Sequence, residues 1–292
     1  MFFKDNNMDD TTLNVGFIER LKKFQKSQSV MMEGPGPFMV DFFSTPRYIL
    51  CNTPIDLTLY RSRPEFLLMT AKDDKKYKFV IEDICLKAKY IEVHPGVISG
   101  HSEALKRSAN AIYPYTKVDC KCFNIPKDST SFSFDNIFNN TTPQKVICAF
   151  VEAEAFSGKL SKNAFNFQHF NLSQIELNID GVSAPSRPLD FVFDAYGTQA
   201  ATPYLRMYDC VGASNNPLFG IGLSLADYCE GHTIICFPLN ALDKNYLEVN
   251  RTANVTIQGT FQKALESSVT LLVYSESPTV AEIDQTRNVI LH

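Results

Sequence analysis

The chain has 292 residues, 45% of them hydrophobic and 21% charged, with 28 Lys and Arg against 32 Asp and Glu for a net charge of −4. This is ordinary globular composition with material for a sizeable core. The acidic balance argues against a nucleic-acid-binding protein, which would carry a basic stripe. The one basic cluster, Arg20, Lys22, Lys23 and Lys26, reads as a solvated helix face. At about 150 residues per domain the length suggests two units, or one large β domain. Twenty-three Phe and 12 Tyr, with no Trp, lean toward pleated, half-buried surfaces. No apolar run reaches the roughly 18 residues of a membrane-spanning helix. The opening MFFKDNNMDDTT has no apolar h-region, so neither a membrane span nor secretion is expected. The eight Cys sit within apolar runs, as reduced core residues do. On these grounds the sequons at Asn139, Asn140, Asn171, Asn250 and Asn254 are expected to stay unglycosylated.

In chain order, Phe17, Leu21 and Phe24 predict a short helix within Asn14 to Lys26. Gly34-Pro35-Gly36-Pro37 breaks the chain before the apolar run Phe38 to Phe43. Ile55, Leu57 and Leu59 alternate with polar neighbours and predict a strand. Tyr77 to Val93 is the longest strand-like run, with Glu82 and Asp83 marking a bulge or an edge passage. Pro95-Gly96 closes it. A short helix is predicted from His101 to Ala109, with Ser102 as N-cap and Leu105 facing inward. Tyr115 to Ile125 predicts a strand, and the polar stretch Pro126 to Pro143 a linker. Lys145 to Ala155 is a strand apolar enough at its start to be buried on both faces.

Leu172 to Ile179 alternates cleanly, with Ile175, Leu177 and Ile179 opposite Glu176, Asn178 and Asp180. Asp180-Gly181 then predicts a hairpin turn. Asp190 to Arg206 is ambiguous, with a helix as one reading. Three strands follow, Thr233 to Pro238, Arg251 to Gln262 and Ser267 to Ser275, the last two joined by a hairpin at Lys263–Glu266. Many short strands with few helices predict an all-β sandwich or jelly roll.

No motif assembles a catalytic constellation. His101-Ser102-Glu103 matches half of a zinc-deaminase signature and lacks the P-C-x-x-C half. Cys120-x-Cys122 has the spacing of two thiols on one strand face, not of a zinc ligand pair. Gly222 to Ala226 approximates G-x-S-x-G around Ser224 without the second glycine. Gly220-Ile221-Gly222 does not continue into a dinucleotide fingerprint. The pairs Glu152/Glu154 and Asp9/Asp10 read as solvated carboxylates, and His94 and His169 as structural histidines. No catalytic, cofactor-binding or metal-binding residue is therefore assigned, no cofactor is expected, and the chain is not expected to be an enzyme. What remains is Phe-rich and apolar loop sequence, at Phe38–Phe43, Phe132–Phe138, Phe165–Phe170 and Pro217–Leu225. Loops of that kind fold over sandwich ends or bury against other subunits.

Two strings, KNAFNFQHFNLSQIELNIDG (Lys162–Gly181) and AEIDQTRNVIL (Ala281–Leu291), resemble proteins of Polinton/Maverick elements and adintovirus-like genomes. Asn163, Phe165, Asn166, Phe167, Gln168, His169, Phe170 and Asn171 match that family's NPFNFQHFNL-like motif, with Ala164 where Pro is common. Arg47 to Met69 resembles its RYLLNGV…RSKD segment, and Ala111 to Pro114 its A-YP step. The order of parts also resembles double jelly-roll major capsid proteins of large DNA viruses.

The resemblance implies two tandem rolls. The C-terminal part of the first, with a linker, falls in 1–135 and the second in 136–292. Members carry further strands ahead of the position of Val30, so the first roll is expected to be N-terminally incomplete. It further implies a capsid protein that trimerises into pseudo-hexameric capsomers, with self-association and a minor capsid or vertex protein as partners. No membrane span or direct nucleic-acid contact is implied. The location would be the virion, or otherwise the cell interior. The alternatives are a minor or vertex capsid component, marked by a single roll and fivefold assembly, and a β-sandwich receptor or glycan-binding module, marked by an aromatic and carboxylate pocket.

Overall fold

The period-two stretches of the second half become strands of two antiparallel five-stranded sheets packed face to face. The computed structural model describes residues 22, 36, 38–45, 47–68, 78–139, 142–184, 187–193, 200–211, 222–239 and 253–291. A 3₁₀ turn at Asp41–Ser44 and helices α1 (Pro64–Leu67) and α2 (Pro95–Lys106) precede the sheets. Then come β1 (Ala111–Ile125), β2 (Ser131–Phe134), β3 (Lys145–Glu152), α3 (Ala153–Ser157), β4 (Leu172–Ile179), β5 (Val182–Ser183) and β6 (Leu189–Asp190). Helices α4 (Ala201–Cys210) and α5 (Leu225–Gly231) lead to β7 (Ile234–Pro238), β8 (Val255–Phe261), β9 (Val269–Ile283) and β10 (Val289–Leu291).

One sheet runs β1-β9-β3-β7, with β10 continuing β3's side of β9; the other runs β2-β8-β4-β5, with β6 beside β5 on the same flank of β4. The protein is all-β in class, and its core lies between the sheets. Val146, Cys148 and Phe150 of β3, Leu172, Ile175 and Leu177 of β4, Val255 and Ile257 of β8, and Val269, Leu271 and Val273 of β9 form one buried cluster. Each such side chain contributes roughly 1.5–3 kcal/mol by leaving water. In β4 the register slips between Leu172 and Gln174, a bulge that lets Leu172 and Ile175 face inward although three positions separate them.

The β4–β5 hairpin turns where expected. Asp180 and Gly181 adopt φ of 51° and 82°, the two left-handed positions that a type I′ turn demands and that glycine takes without steric cost. Asp180 also holds Asn254: its carboxylate accepts from the Asn254 N–H at 2.8 Å and its own N–H donates to the Asn254 carbonyl at 2.9 Å. That ties the turn to the entry of β8.

Several expectations are corrected. Ile55–Tyr60 and residues 78–93 have strand-like sequence but pair with no described strand, and every residue of 78–93 is exposed. Alternation makes a strand only when a neighbour takes up its amides. The helix predicted over His101 to Ala109 with Ser102 as N-cap runs from Pro95 to Lys106: His94 is its N-cap, accepting from the Gly96 N–H on Nδ1 at 3.1 Å. Pro at the first helical position gives up no hydrogen bond, so Pro95 opens the helix instead of closing a strand; Leu105 is buried as expected.

The stretch expected as a linker contains β2, and its Phe132, Ile137 and Phe138 are buried. The strand at Lys145 ends at Glu152, three residues early, in α3; its fully buried run is Cys148–Val151 rather than its start. The strand predicted to end at Ser275 continues to Ile283, because β1 pairs with it along fifteen residues. Arg206 belongs to α4, whose Met207 and Cys210 pack in one cluster with Cys236 of β7 and Tyr228 of α5. The helix predicted at Asn14–Lys26 lies, Lys22 apart, outside the described residues. The sandwich takes strands from both sides of residue 135: β1 and β2 pair with β9 and β8.

The outer edge of β1 is covered in part by the segment before it. Asp41 Oδ2 accepts from the Val118 N–H at 2.9 Å and Arg47 donates to the Ile112 carbonyl. Tyr113 donates its hydroxyl to the Tyr48 carbonyl and accepts from the Leu50 N–H, each at 3.2 Å. Phe42 packs edge-on against Tyr115 and tilted against Tyr113. Pro114, which has no N–H to leave unpaired, suits such an edge.

Candidate functional site

The first recognised string folds into a clasp at one end of the sandwich. Asn163 Oδ1 accepts from the Phe165 N–H at 2.8 Å, turning the chain after α3. Phe167 then bridges to the α5–β7 junction, donating to the Gly231 carbonyl at 2.9 Å and accepting from the Thr233 N–H at 3.0 Å. Gln168 donates to the Phe150 carbonyl of β3 at 3.1 Å, and the Asn171 carbonyl accepts from Gln262 after β8 at 2.8 Å. Nine residues thus join both sheets and α5 by backbone hydrogen bonds. Phe170 and Asn171 adopt positive φ, 45° and 52°, where the chain reverses into β4. Phe165 stays exposed and meets Phe66 of α1 edge-on.

His169 lies flat on Phe193, ring centroids 4.1 Å apart. Its Nδ1 accepts from the Asn171 N–H at 2.9 Å, so the ring's proton sits on Nε2. Burial holds its pKa below the ordinary value. This is a neutral structural histidine, as its sequence context suggested. Beside the clasp lies a small cleft lined by Val151, Glu152, Ala155, Lys162, Asn163 and Asn166, among others. Lys162 pairs with Glu152 and, at 3.0 Å, with Glu154, which also binds Lys159 at 2.9 Å. The hydrogen bonds from Lys159 and Lys162 hold the Glu154 carboxyl below its usual pKa. The two glutamates are thus the arms of one ion-pair cluster, not adjacent positions on one strand face, and the cluster occupies the cleft's only described cation.

The second recognised string forms the β9–β10 turn. Asp284 Oδ1 accepts from the Thr286 hydroxyl at 2.7 Å, the Thr286 N–H at 2.8 Å and the Asn288 N–H at 2.9 Å. These bonds, the Thr286 side chain's first, keep the Asp284 carboxyl below its usual pKa. Both strings owe their residue types to backbone geometry.

The remaining candidates are dispersed. His101 is exposed on α2, and Glu103, two residues along, pairs with Arg107 one turn further on. Cys120 and Cys122 are exposed and share one face of β1. Among the described residues no group of three His, Cys, Asp or Glu is placed to hold a metal ion. Ser224 is the N-cap of α5: its Oγ accepts from the Asp227 N–H at 3.1 Å and donates to Asp227 Oδ2 at 2.8 Å. A capping box, not a nucleophile elbow, explains that serine. Gly220, Ile221, Asp9 and Asp10 lie outside the described residues.

Sequence reasoning missed a tyrosine fork. Tyr204 and Tyr208, one turn apart on α4, both donate to the Leu223 carbonyl, at 2.7 and 2.9 Å. Burial, with Tyr208 alongside, pushes the Tyr204 hydroxyl up to about 12. The i, i+4 tyrosine spacing was the available signal.

Exposed apolar side chains concentrate in one stretch of the chain. Of the twenty-seven exposed large apolar side chains among the described residues, eighteen fall between Met39 and Ile98. No described helix is long and apolar enough to cross a membrane.

No family model matches the chain. It is 23% identical over 257 residues to an uncharacterized protein of Caenorhabditis elegans, a match covering 86% of this chain and 61% of that protein. Among solved structures it is similar to the Sputnik virophage determined by cryo-EM, with a TM-score of 0.40 and 12% identity over 63% of this chain and 39% of that one. It is similar also to the mavirus major capsid protein, with a TM-score of 0.35 and 11% identity over 63% and 41%. The PBCV-1 virus capsid gives a TM-score of 0.35 and 10% identity over 64% and 52%. The chain therefore spans about three fifths of the curated relative and about half or less of these solved chains.

Proposed function

We propose that this chain is a structural capsid protein of a Polinton/Maverick-type element, a double jelly-roll subunit that works by self-assembly into pseudo-hexameric trimers and needs no cofactor. The observation that carries this reading is the apolar surface between Met39 and Ile98. Apolar surface of that extent on an otherwise ordinary globular chain marks a face covered in an assembly. The resemblance of the clasp and of the β9–β10 turn to the capsid family supports the same reading, as does the antiparallel sandwich itself. In this reading the sandwich that β1 and β2 build together with residues 136–292 is the second roll, the residues ahead of Ala111 belong to the first, and a separate vertex protein completes the shell.

The test is the solution mass of the purified chain by light scattering, with negative-stain images of the same sample. Three copies in a hexagonal outline are expected. A strictly monomeric chain at every concentration, with no capsomer or shell, overturns the proposal.

A further inference from the structure

Residues 78–93 carry a symmetry that their surroundings do not use. Every residue is exposed, none belongs to a helix or ladder, and Ile84, Leu86 and Tyr90 are 64%, 59% and 92% exposed. The one hydrogen bond to this stretch from a described side chain is Arg61 Nη1 to the Phe79 carbonyl, at 2.6 Å. Drawn out as a strand and laid antiparallel on a second copy with Cys85 opposite Cys85, the sequence is complementary to itself. Lys78 then faces Glu92, and Asp83 faces Lys87, each twice by symmetry. Phe79 faces Ile91, Val80 faces Tyr90, Ile84 faces Leu86, and no like charges meet. Moving the centre by half a residue or a whole residue in either direction leaves at most one kind of opposite-charge pair.

The Arg61 bond also selects the free edge. Along a strand, successive carbonyls point to opposite sides, so the odd-numbered groups face Arg61 and the even-numbered ones are left for a partner. Cys85 and Asp83 then fall at non-hydrogen-bonded positions. There facing Cα atoms lie about 4.5 Å apart and side chains are closest.

We propose that residues 78–92 form a two-fold antiparallel strand contact with a second copy of this chain, centred on Cys85. The even face carries Val80, Ile84, Leu86, Ala88 and Tyr90, interrupted on each strand by Glu82 opposite Ala88 and closed at each end by a Lys78–Glu92 pair. This goes beyond the capsid reading, since a two-fold contact joins copies in pairs, whether those copies are single or already in capsomers.

The experiment uses the full chain, its mass followed by analytical ultracentrifugation over a range of concentrations. Pairing is expected in the wild type. Asp83→Lys, which sets two lysines opposite each other, should weaken pairing roughly tenfold or more, because directly opposed like charges destabilise a strand pair. The double swap Asp83→Lys with Lys87→Asp should restore it. Position 83 is exposed, and circular dichroism confirms that each variant keeps its fold.

Diamide supplies an independent readout. The two Cys85 thiols lose two protons and two electrons to the reagent, which is reduced to the hydrazine as the S–S bond forms. The expected covalent dimer should be absent in Cys85→Ala and present in Cys51→Ala. A wild type that never pairs, a mass indifferent to the charge swap, or a covalent dimer that survives Cys85→Ala each overturns the contact. A three-copy mass indifferent to Asp83→Lys keeps the capsomer and discards this contact; a two-copy mass that follows the swap does the reverse.

Discussion

At the level of single residues, the histidine in the clasp makes a pH prediction whose sign is fixed. Burial lowers the His169 pKa in the folded chain, while the unfolded chain titrates near the ordinary value of about 6.5. Between those values the unfolded state binds the extra proton, so stability falls as pH drops through the unfolded value and stops falling below the folded one. Denaturant midpoints measured from pH 7.5 to 5.5 should therefore decline. His169→Gln keeps an acceptor for the Asn171 N–H without titrating there, and should flatten that slope whatever it does to overall stability. The structural role of this histidine was legible in the sequence from its place at a strand end. Its partner was not: Phe193 stands 24 positions away, and only the fold brings the rings to 4.1 Å.

Among the elements, β8 shows how a strand can depend on a residue with no side chain. Gly259 sits opposite Ile175 in β4 and Phe132 in β2. A Cβ there would lie 2.7 Å from the tip of the Phe132 ring and 2.8 Å from the Gln174 carbonyl, and the second of these is backbone that cannot move aside. Gly259→Ala should therefore cost about 1–3 kcal/mol, the usual range for overpacking a dense core, read as a lower denaturant midpoint. Phe132→Leu added to it should recover only part of the loss. The strand at this position and the β4–β5 hairpin were legible, because alternation and Asp180-Gly181 are local signals; the hairpin expected at Lys263–Glu266 does not form, since β8 and β9 lie in different sheets. The β2 segment was not: SFSF between Asp-, Ser- and Asn-rich flanks reads as linker, and it becomes a strand only because β8 offers an edge to it. Residues 78–93 show the reverse, a strong local pattern with no described neighbour to realise it.

For the whole molecule, the strand pairing defines what should survive alone. All ten strands among the described residues lie between Ala111 and Leu291. A chain of residues 109–292 should unfold in one cooperative calorimetric transition, at a lower temperature than the full chain. It loses Phe42, Ile49 and Leu50, which pack on Tyr113, Ala281 and Ile283, and the side chains that cover the β1 edge. A fragment without a cooperative transition would mean that residues 1–108 are integral to the sandwich. The all-β class was legible from composition and turn spacing. The topology was not, because the pairing of β1 with β9 is a statement about residues more than 140 positions apart.

That pairing also sets an order in time. On a ribosome β1 emerges early and finds its neighbour only when β9 has been made, about 150 residues later. At roughly 5–20 residues per second this is a wait of roughly 8–30 s, during which the edge of a fifteen-residue strand that β9 will cover stands bare. Nascent chains of this protein are therefore natural clients for holding chaperones, and slowing translation across residues 126–268 should raise the aggregated fraction while leaving the finished fold unchanged.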